Sequence, residues 1–252
     1  MSERIISIKD LVKNYGTFEA VKSISFDVFK GEIFGLLGQN GAGKSTTLEI
    51  IETLREKTSG TVIVNGLDLD KKPDEIKKII GVQLQTSGFY PNLRLVELLQ
   101  LFAGLYNRKI DPMDFLKLVN LEDKARNKFK ELSGGQKQRF SIATTLINEP
   151  LIIFLDEPTT GLDPQARRNL WQLIRDIRSK GATVILTTHY MDEAEALCDR
   201  VAIMDAGRII ALDTPDRLID KLVATGFERP KEVKKASLED VFIYLTGHEF
   251  TE

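Results

Sequence analysis

Residues 38–46 read Gly-Gln-Asn-Gly-Ala-Gly-Lys-Ser-Thr, a loop in which three glycines precede a lysine and two hydroxyls. Gly38, Gly41 and Gly43 open backbone angles closed to other residues, so successive N–H groups, those of Asn40 and Ala42 among them, can converge on phosphate oxygens. Lys44 reaches the β- and γ-phosphates of a nucleoside triphosphate, and the Ser45 hydroxyl can ligate Mg²⁺, with Thr46 completing the G-x-x-x-x-G-K-[ST] pattern. A second chemical pair is Asp156-Glu157, which follows five apolar residues, Leu151 to Leu155. Unpaired charge is costly to bury, so the pair reads as working acid: Asp156 on the metal and Glu157 on an attacking water. A third stretch is Ser133-Gly134-Gly135-Gln136. Ser133 suits a helix N-cap, and the glycines leave backbone N–H groups open to an anion. The chain thus presents two helix starts fit for phosphate and one complete nucleotide loop.

These residues need elements to hold them. Glu32 to Leu37 reads as a buried strand and Ser45 to Leu54 as a helix, which sets a positive helix end against the anion. Upstream, Ile6 and Ile8, then Ile24, Phe26 and Val28, alternate as strands, joined by the turn-rich Lys13-Asn14-Tyr15-Gly16. Thr61 to Val64 is a further strand, so the early strands form an antiparallel layer beside the nucleotide core. Gly81 to Gln85 is a strand that leads into helical sequence from about Arg94 to Asn148, where Leu95, Leu98, Leu99 and Phe102 recur at helical spacing. The core then resumes. Leu151 to Leu155 is a strand, and Asp163-Pro164 caps a helix whose Leu170, Leu173, Ile174 and Ile177 share a face. Thr183 to Thr187 is the next strand, ending at His189, with an acidic helix over Asp192 to Leu197. Strand-like runs at Val201 to Met204 and Arg208 to Ala211 precede a helix opened by Thr214-Pro215. The fold class is α/β: a phosphate-loop core with a mostly parallel sheet, an N-terminal antiparallel β layer and an inserted helical subdomain at about 88–148. The cassette is expected over 1–225, followed by a tail, 226–252, with a short helix from Ser237.

Composition narrows the classes. With 35 basic against 37 acidic residues and no basic block, nucleic-acid binding has no support. The single Cys198 excludes an internal disulfide and suits a reducing compartment. The first residues lead into alternating strand sequence rather than a secretory leader, and no apolar run is long enough to span a bilayer.

Leu132 to Arg139 reads LSGGQKQR, which resembles the signature of the ATP-binding-cassette (ABC) ATPases. The family order of phosphate loop, glutamine loop, signature, Asp-Glu strand end and switch histidine is matched by Gly38 to Thr46, Gln85, Leu132 to Gln136, Asp156-Glu157 and His189. The resemblance covers essentially the whole chain. It implies that Tyr15 stacks on adenine and that Gln85 senses Mg²⁺ and the γ-phosphate while linking the site to a membrane partner. It also implies that His189 touches the γ-phosphate and that Thr160 to Asp163 communicates across a dimer. Ser133, Gly135 and Gln136 would face the phosphate loop of a second, head-to-tail subunit. Two positions depart from the family pattern: Gln39 and Leu84 stand where Pro is common.

His189 to Glu195 and Ser237 to Phe242 are similar to ATP-binding subunits of drug- and antibiotic-export systems. The implied function is ATP hydrolysis powering export through a separate transmembrane permease, with the chain cytoplasmic and peripheral on the membrane's inner face. ATP and Mg²⁺ are the implied cofactors. An importer subunit and an ABC-type ATPase of DNA repair or translation are the alternatives. No heptad run supplies the coiled coil of the repair class, and no guanine-reading Asn-Lys-x-Asp supports a GTPase. Phe89, Tyr90, Pro91 and Leu93 are expected to line the groove that receives a cytoplasmic permease helix.

Overall fold

The computed structural model describes residues 3–84 and 88–227. Gln85 and the segment from Ser237 to Phe242 lie outside the described residues. The chain divides into two compact units, Met1–Leu218 and Ile219–Glu252.

In chain order the strands are β1 (Arg4–Tyr15), β2 (Phe18–Phe29), β3 (Ile33–Leu37), β4 (Ser59–Val64) and β5 (Leu67–Asp68). They continue with β6 (Ile80–Gln83), β7 (Ile152–Asp156), β8 (Thr183–Thr188), β9 (Arg200–Asp205) and β10 (Arg208–Asp213). The helices are α1 (Lys44–Ile51), α2 (Pro73–Lys77), α3 (Leu95–Leu105) and α4 (Pro112–Leu118). After them come α5 (Gly134–Thr145), α6 (Pro164–Ser179), α7 (Met191–Leu197) and α8 (Pro215–Ala224).

Two sheets form. One has the order β2-β1-β4-β5 and is antiparallel throughout. The other has the order β10-β9-β3-β8-β7-β6, parallel except at β10–β9. The central strands β3, β7 and β8 are buried along their whole length, as strands covered on both faces must be. Their alternation sorts the core in two. Phe34, Leu36, Ile152, Phe154 and Ile185 pack with α1 and the antiparallel sheet. Ile33, Leu37, Ile153, Leu155, Val184 and Leu186 face the other way, against α3, α5 and α6. This layering brings the C-terminal ends of β3, β7 and β8 together, where open α/β sheets place their ligands.

Several boundaries move. Lys13 to Tyr15 is not a loop: β1 runs through Tyr15, which pairs with Phe18 across the turn at Gly16. Cross-strand pairing along two long strands overrides the turn-forming residues there. The first helix spans Lys44–Ile51 rather than reaching Leu54, because Thr53 takes a left-handed φ of 64°. The strand expected from Gly81 ends at Gln83, and Leu84 is exposed. The signature helix starts two residues before Gln136, at Gly134, and ends at Thr145.

Phe89 is partly buried and packs on the core of the helical insert. Its ring lies 5.6 Å from Phe102, 4.7 Å from Phe129 and 5.4 Å from Phe140, centroid to centroid. Leu93 packs against the same core, while Tyr90 and Pro91 are exposed. An aromatic cluster at these spacings holds the insert together.

Candidate nucleotide site

Residues 38–43 link β3 to α1, and the loop is packed too closely for side chains at two of its glycines. A Cβ on Gly38 would meet the Met204 carbonyl oxygen at 2.3 Å. Gly43, the N-cap of α1, has φ 98° and lies against the Ala20 carbonyl, which a Cβ would approach to 2.7 Å. Lys44 follows and is buried, donating to the carbonyls of Gly38 at 2.8 Å and Gln39 at 3.1 Å.

The β7 end supplies the acids. Asp156 Oδ1 accepts from Ser45 Oγ at 3.2 Å and also from the Thr187 hydroxyl. Burial raises the Asp156 carboxyl above its ordinary pKa, against the lowering effect of those two hydroxyls, with Glu157 and Glu49 adding to the rise. Glu157 takes a left-handed φ of 46°, uncommon for a long side chain and a conformation that has to be held in place. Its backbone N–H donates to Thr187 Oγ1 at 2.9 Å. Glu157 Oε1 lies 3.6 Å from Lys44 Nζ and 3.3 Å from His189 Nδ1, and Oε2 accepts from Thr160 Oγ1 at 3.2 Å. The His189 contact is a close approach rather than an aligned hydrogen bond.

Lys44, Ser45, Asp156, Glu157 and His189 therefore converge. A cleft of about 390 Å³ opens beside them, lined by Tyr15, Phe18, Ala20, Asn40, Gly41 and Gly43 to Thr46 with Glu157. The donor set at Ser45 and Asp156 is one hydroxyl and one carboxylate. That sparse, hard-oxygen set fits Mg²⁺ when phosphates complete its sphere.

Phe18 was missed by sequence reasoning. It is 63% exposed, opposite Tyr15, so the cleft has two aromatics at its mouth. The signal available was the hairpin pairing of Tyr15 with Phe18, which the turn-like composition of residues 13–16 hid. Tyr15 itself is flanked by Lys13 Nζ at 5.1 Å and the Arg55 guanidinium at 5.3 Å from its centroid. Thr187 was read as a strand end, yet its hydroxyl ties Asp156 to Glu157.

The Ser133 stretch forms a separate feature. Ser133 caps α5 by accepting from Gln136 N at 3.4 Å, and Gln136 Oε1 accepts from Ser133 N at 2.9 Å. A cavity of about 230 Å³ there is lined by Ser133 to Gln136, Arg139, Gly161 to Asp163, Ala166 and Asn169. None of the residues lining the nucleotide cleft is among them.

The sheet order, the strand–loop–helix and the paired acids at the end of β7, one strand beyond β8, define a phosphate-loop nucleotide-binding protein. The sequence model of the ABC transporter family matches residues 21–160, which include the phosphate loop, Ser133 to Gln136 and Asp156-Glu157 but neither Tyr15 nor His189. The chain belongs to the ABC transporter family, as an ATP-binding cassette.

Among its relatives is the probable multidrug ABC transporter ATP-binding protein YbhF of Escherichia coli, 41% identical over 96% of this chain. This chain spans only 42% of that protein's length. Nod factor export ATP-binding protein I of Burkholderia orbicola is 39% identical, with 98% of this chain and 83% of that protein covered. The linearmycin resistance ATP-binding protein LnrL of Bacillus subtilis is 39% identical over 86% of this chain and 72% of its own. An ATP-binding subunit of an ABC transporter superposes with a TM-score of 0.76 at 31% identity, covering 96% of this chain and 99% of that one. A dimeric cassette in a post-hydrolysis state, bound to ADP and Pi, gives 0.75 at 29% identity over 83% and 98%. Among the described residues no helix is long and apolar enough to cross a membrane.

Proposed function

We propose that this chain hydrolyses ATP and drives export of a small molecule or ion through a separate transmembrane permease. The observation that carries the catalytic half is the convergence of Lys44 and His189 on Glu157 Oε1 at the mouth of the phosphate loop. In this reading Gly38 to Thr46 bind the phosphates and Lys44 offsets their charge. Glu157 takes a proton from water as it attacks the γ-phosphorus, the bond to the bridging oxygen breaks, and ADP and phosphate result. His189 holds the γ-phosphate, and Tyr15 with Phe18 packs against the base. Ser45 and Asp156, with Gln85, would hold Mg²⁺, which would supply positive charge against that of the phosphates.

The export half is supported by relatives whose names specify multidrug, Nod factor and linearmycin systems. Two copies are proposed to meet head to tail, each placing Ser133, Gly135 and Gln136 over the other's phosphate loop. The membrane location follows from the permease alone.

The catalytic assignment is tested by Glu157→Gln. ATP affinity should be kept while turnover falls by about 10²–10⁴, the contribution of a positioned base. Undiminished turnover in a folded variant would remove Glu157 from that role.

A further inference from the structure

Trp171 is the only tryptophan in the chain, and its indole N–H donates to Glu193 Oε1 at 3.0 Å. Glu193 is fully buried in the first turn of α7, just beyond His189. A carboxyl in such a place is costly unless other groups meet it. The hydroxyls of Thr188 and Thr159 are close enough to favour its ionised form, as is the charge of Arg167, although burial outweighs them and raises its pKa. Oε2 and the Thr159 hydroxyl make no aligned hydrogen bond, so that contact is one of proximity.

The partners of Glu193 belong to the segments that frame the catalytic groups. Thr159 is fully buried and lies two places after Glu157, in the turn that leads to α6. Arg167 and Trp171 are one turn apart on α6. Arg167 bonds Asp192 at 3.0 Å, and its guanidinium lies 4.5 Å from the Tyr190 ring centroid. Tyr190 packs on the His189 ring with centroids 4.2 Å apart. On the other side of His189, the Thr188 carbonyl accepts from Gly38 N at 3.3 Å, and Thr188 Oγ1 accepts from Tyr190 N at 3.0 Å. His189 is thus bracketed: the phosphate loop holds the residue before it, and α6 holds three of the four residues after it.

We propose that Glu193 is a positioning residue for His189. With Arg167 and Trp171 it clamps the start of α7 to α6, so that a displacement of residues 159–163 reaches His189 as a change in its distance from Glu157. Glu193 acts on His189 through the clamp. The inference rests on the reading of Glu157 and His189 as ATPase machinery.

The test uses the full chain, with ATP titration, steady-state hydrolysis and Trp171 emission measured together. Glu193→Ala should lower kcat by about 10- to 100-fold, the scale for a misplaced group, with KM within about twofold. Glu193→Gln, which keeps an acceptor for the indole and adds a donor toward Thr159, should recover most of that loss. Trp171 emission should change when Mg·ATP is added in the Glu157→Gln background, and the change should vanish with Glu193→Ala. If truncation to alanine unfolds the chain, Arg167→Gln carries the same expectations from a half-buried position. A folded variant with the wild-type kcat, or an emission response unaltered by loss of the clamp, overturns the proposal. A wild-type chain that binds ATP without hydrolysing it would defeat the ATPase reading instead, and the emission response would still decide the clamp.

Discussion

Two helix N-termini in this chain are shaped for anions, and the chain completes them to different degrees. At α1 the helix's own Lys44 and Ser45 are joined by two acids, a histidine and the hydroxyl of Thr187, from β7, β8 and the loops that follow them. At α5 there are backbone N–H groups and little else. The Ser133 hydroxyl is engaged in the cap. Among the described residues the only cation lining that cavity, Arg139, directs its guanidinium to the carbonyls of Val119 and Asn120. The difference teaches that a phosphate-ready helix end is half a site. Around α1 one fold supplies the other half; around α5 the proposed head-to-tail dimer would bring it from a second molecule.

Substitutions can separate the two ends. The largest effect on stability is expected from Phe89→Ala, which removes the ring that joins Phe102, Phe129 and Phe140, the last of these on α5. Phe89 is only partly buried, so the loss should be about 2–4 kcal/mol, at or below the range for core phenylalanines. ATP affinity at the phosphate loop should hold in the folded fraction, as measured by denaturant unfolding and nucleotide titration. Weakened ATP binding in that fraction would show the two ends to be one coupled unit.

A smaller effect concerns the surplus of acid behind α1. Glu52 is 2% exposed, and burial together with Asp156 and Glu49 pushes its pKa from 4.5 up to about 8. The sign follows from linkage: the stability associated with protonated Glu52 is full below 4.5 and is lost as pH climbs through about 8. Across that window the wild-type chain should lose stability that Glu52→Gln keeps, the loss being complete only above about 8. Thermal melts in parallel buffers check this, and identical slopes for the two chains would show that Glu52 ionises without cost. No comparable buried acid lines the α5 cavity, where Asp163 is exposed and caps α6 through Ala166 N at 2.8 Å.

The comparison also shows what a sequence reveals. The glycine spacing of 38–46, the acids closing an apolar strand and the caps at Ser133 and Asp163 follow from local chemistry, and the structure places them accordingly. The antiparallel layer and the mostly parallel sheet were legible from the change in periodicity. Glu193, Thr187 and Phe18 were not. A buried carboxyl on a helix that also carries Asp192 and Glu195 looks like one more solvent-facing charge. A threonine hydroxyl inside a strand has no periodic mark, and Phe18 gains its place only when Tyr15 pairs across a hairpin. The packing of Phe89 was not legible either, since its partners Phe102, Phe129 and Phe140 lie far apart in sequence.

The smallest effect is expected at the mouth of the cleft. Tyr15→Ala should weaken ATP binding by about 0.5–1.5 kcal/mol, the scale of an aromatic contact beyond simple burial. GTP should suffer similarly, because stacking does not read the base edge. Phe18→Ala should do the same to a lesser degree. Unchanged affinity in a calorimetric titration would leave Tyr15 as a strand-end residue held by Lys13 and Arg55.

The measurement that bears most directly on the half-site at α5 is complementation between two disabled chains. Lys44→Ala destroys the phosphate loop and keeps the signature. Gly134→Asp puts a repelling charge into the signature and keeps the loop; Gly134 has open space around it, whereas a Cβ on Gly135 would come within 3.1 Å of Ala166. With Glu157→Gln added to the Gly134→Asp chain to retain ATP, the mixture can form one intact composite site only if the signature acts on the other molecule. Light scattering should then show ATP-dependent dimers in the mixture and monomers for each variant alone. Dimers formed as well by either variant by itself, or no dimer in a mixture whose intact loops bind ATP, would contradict the account.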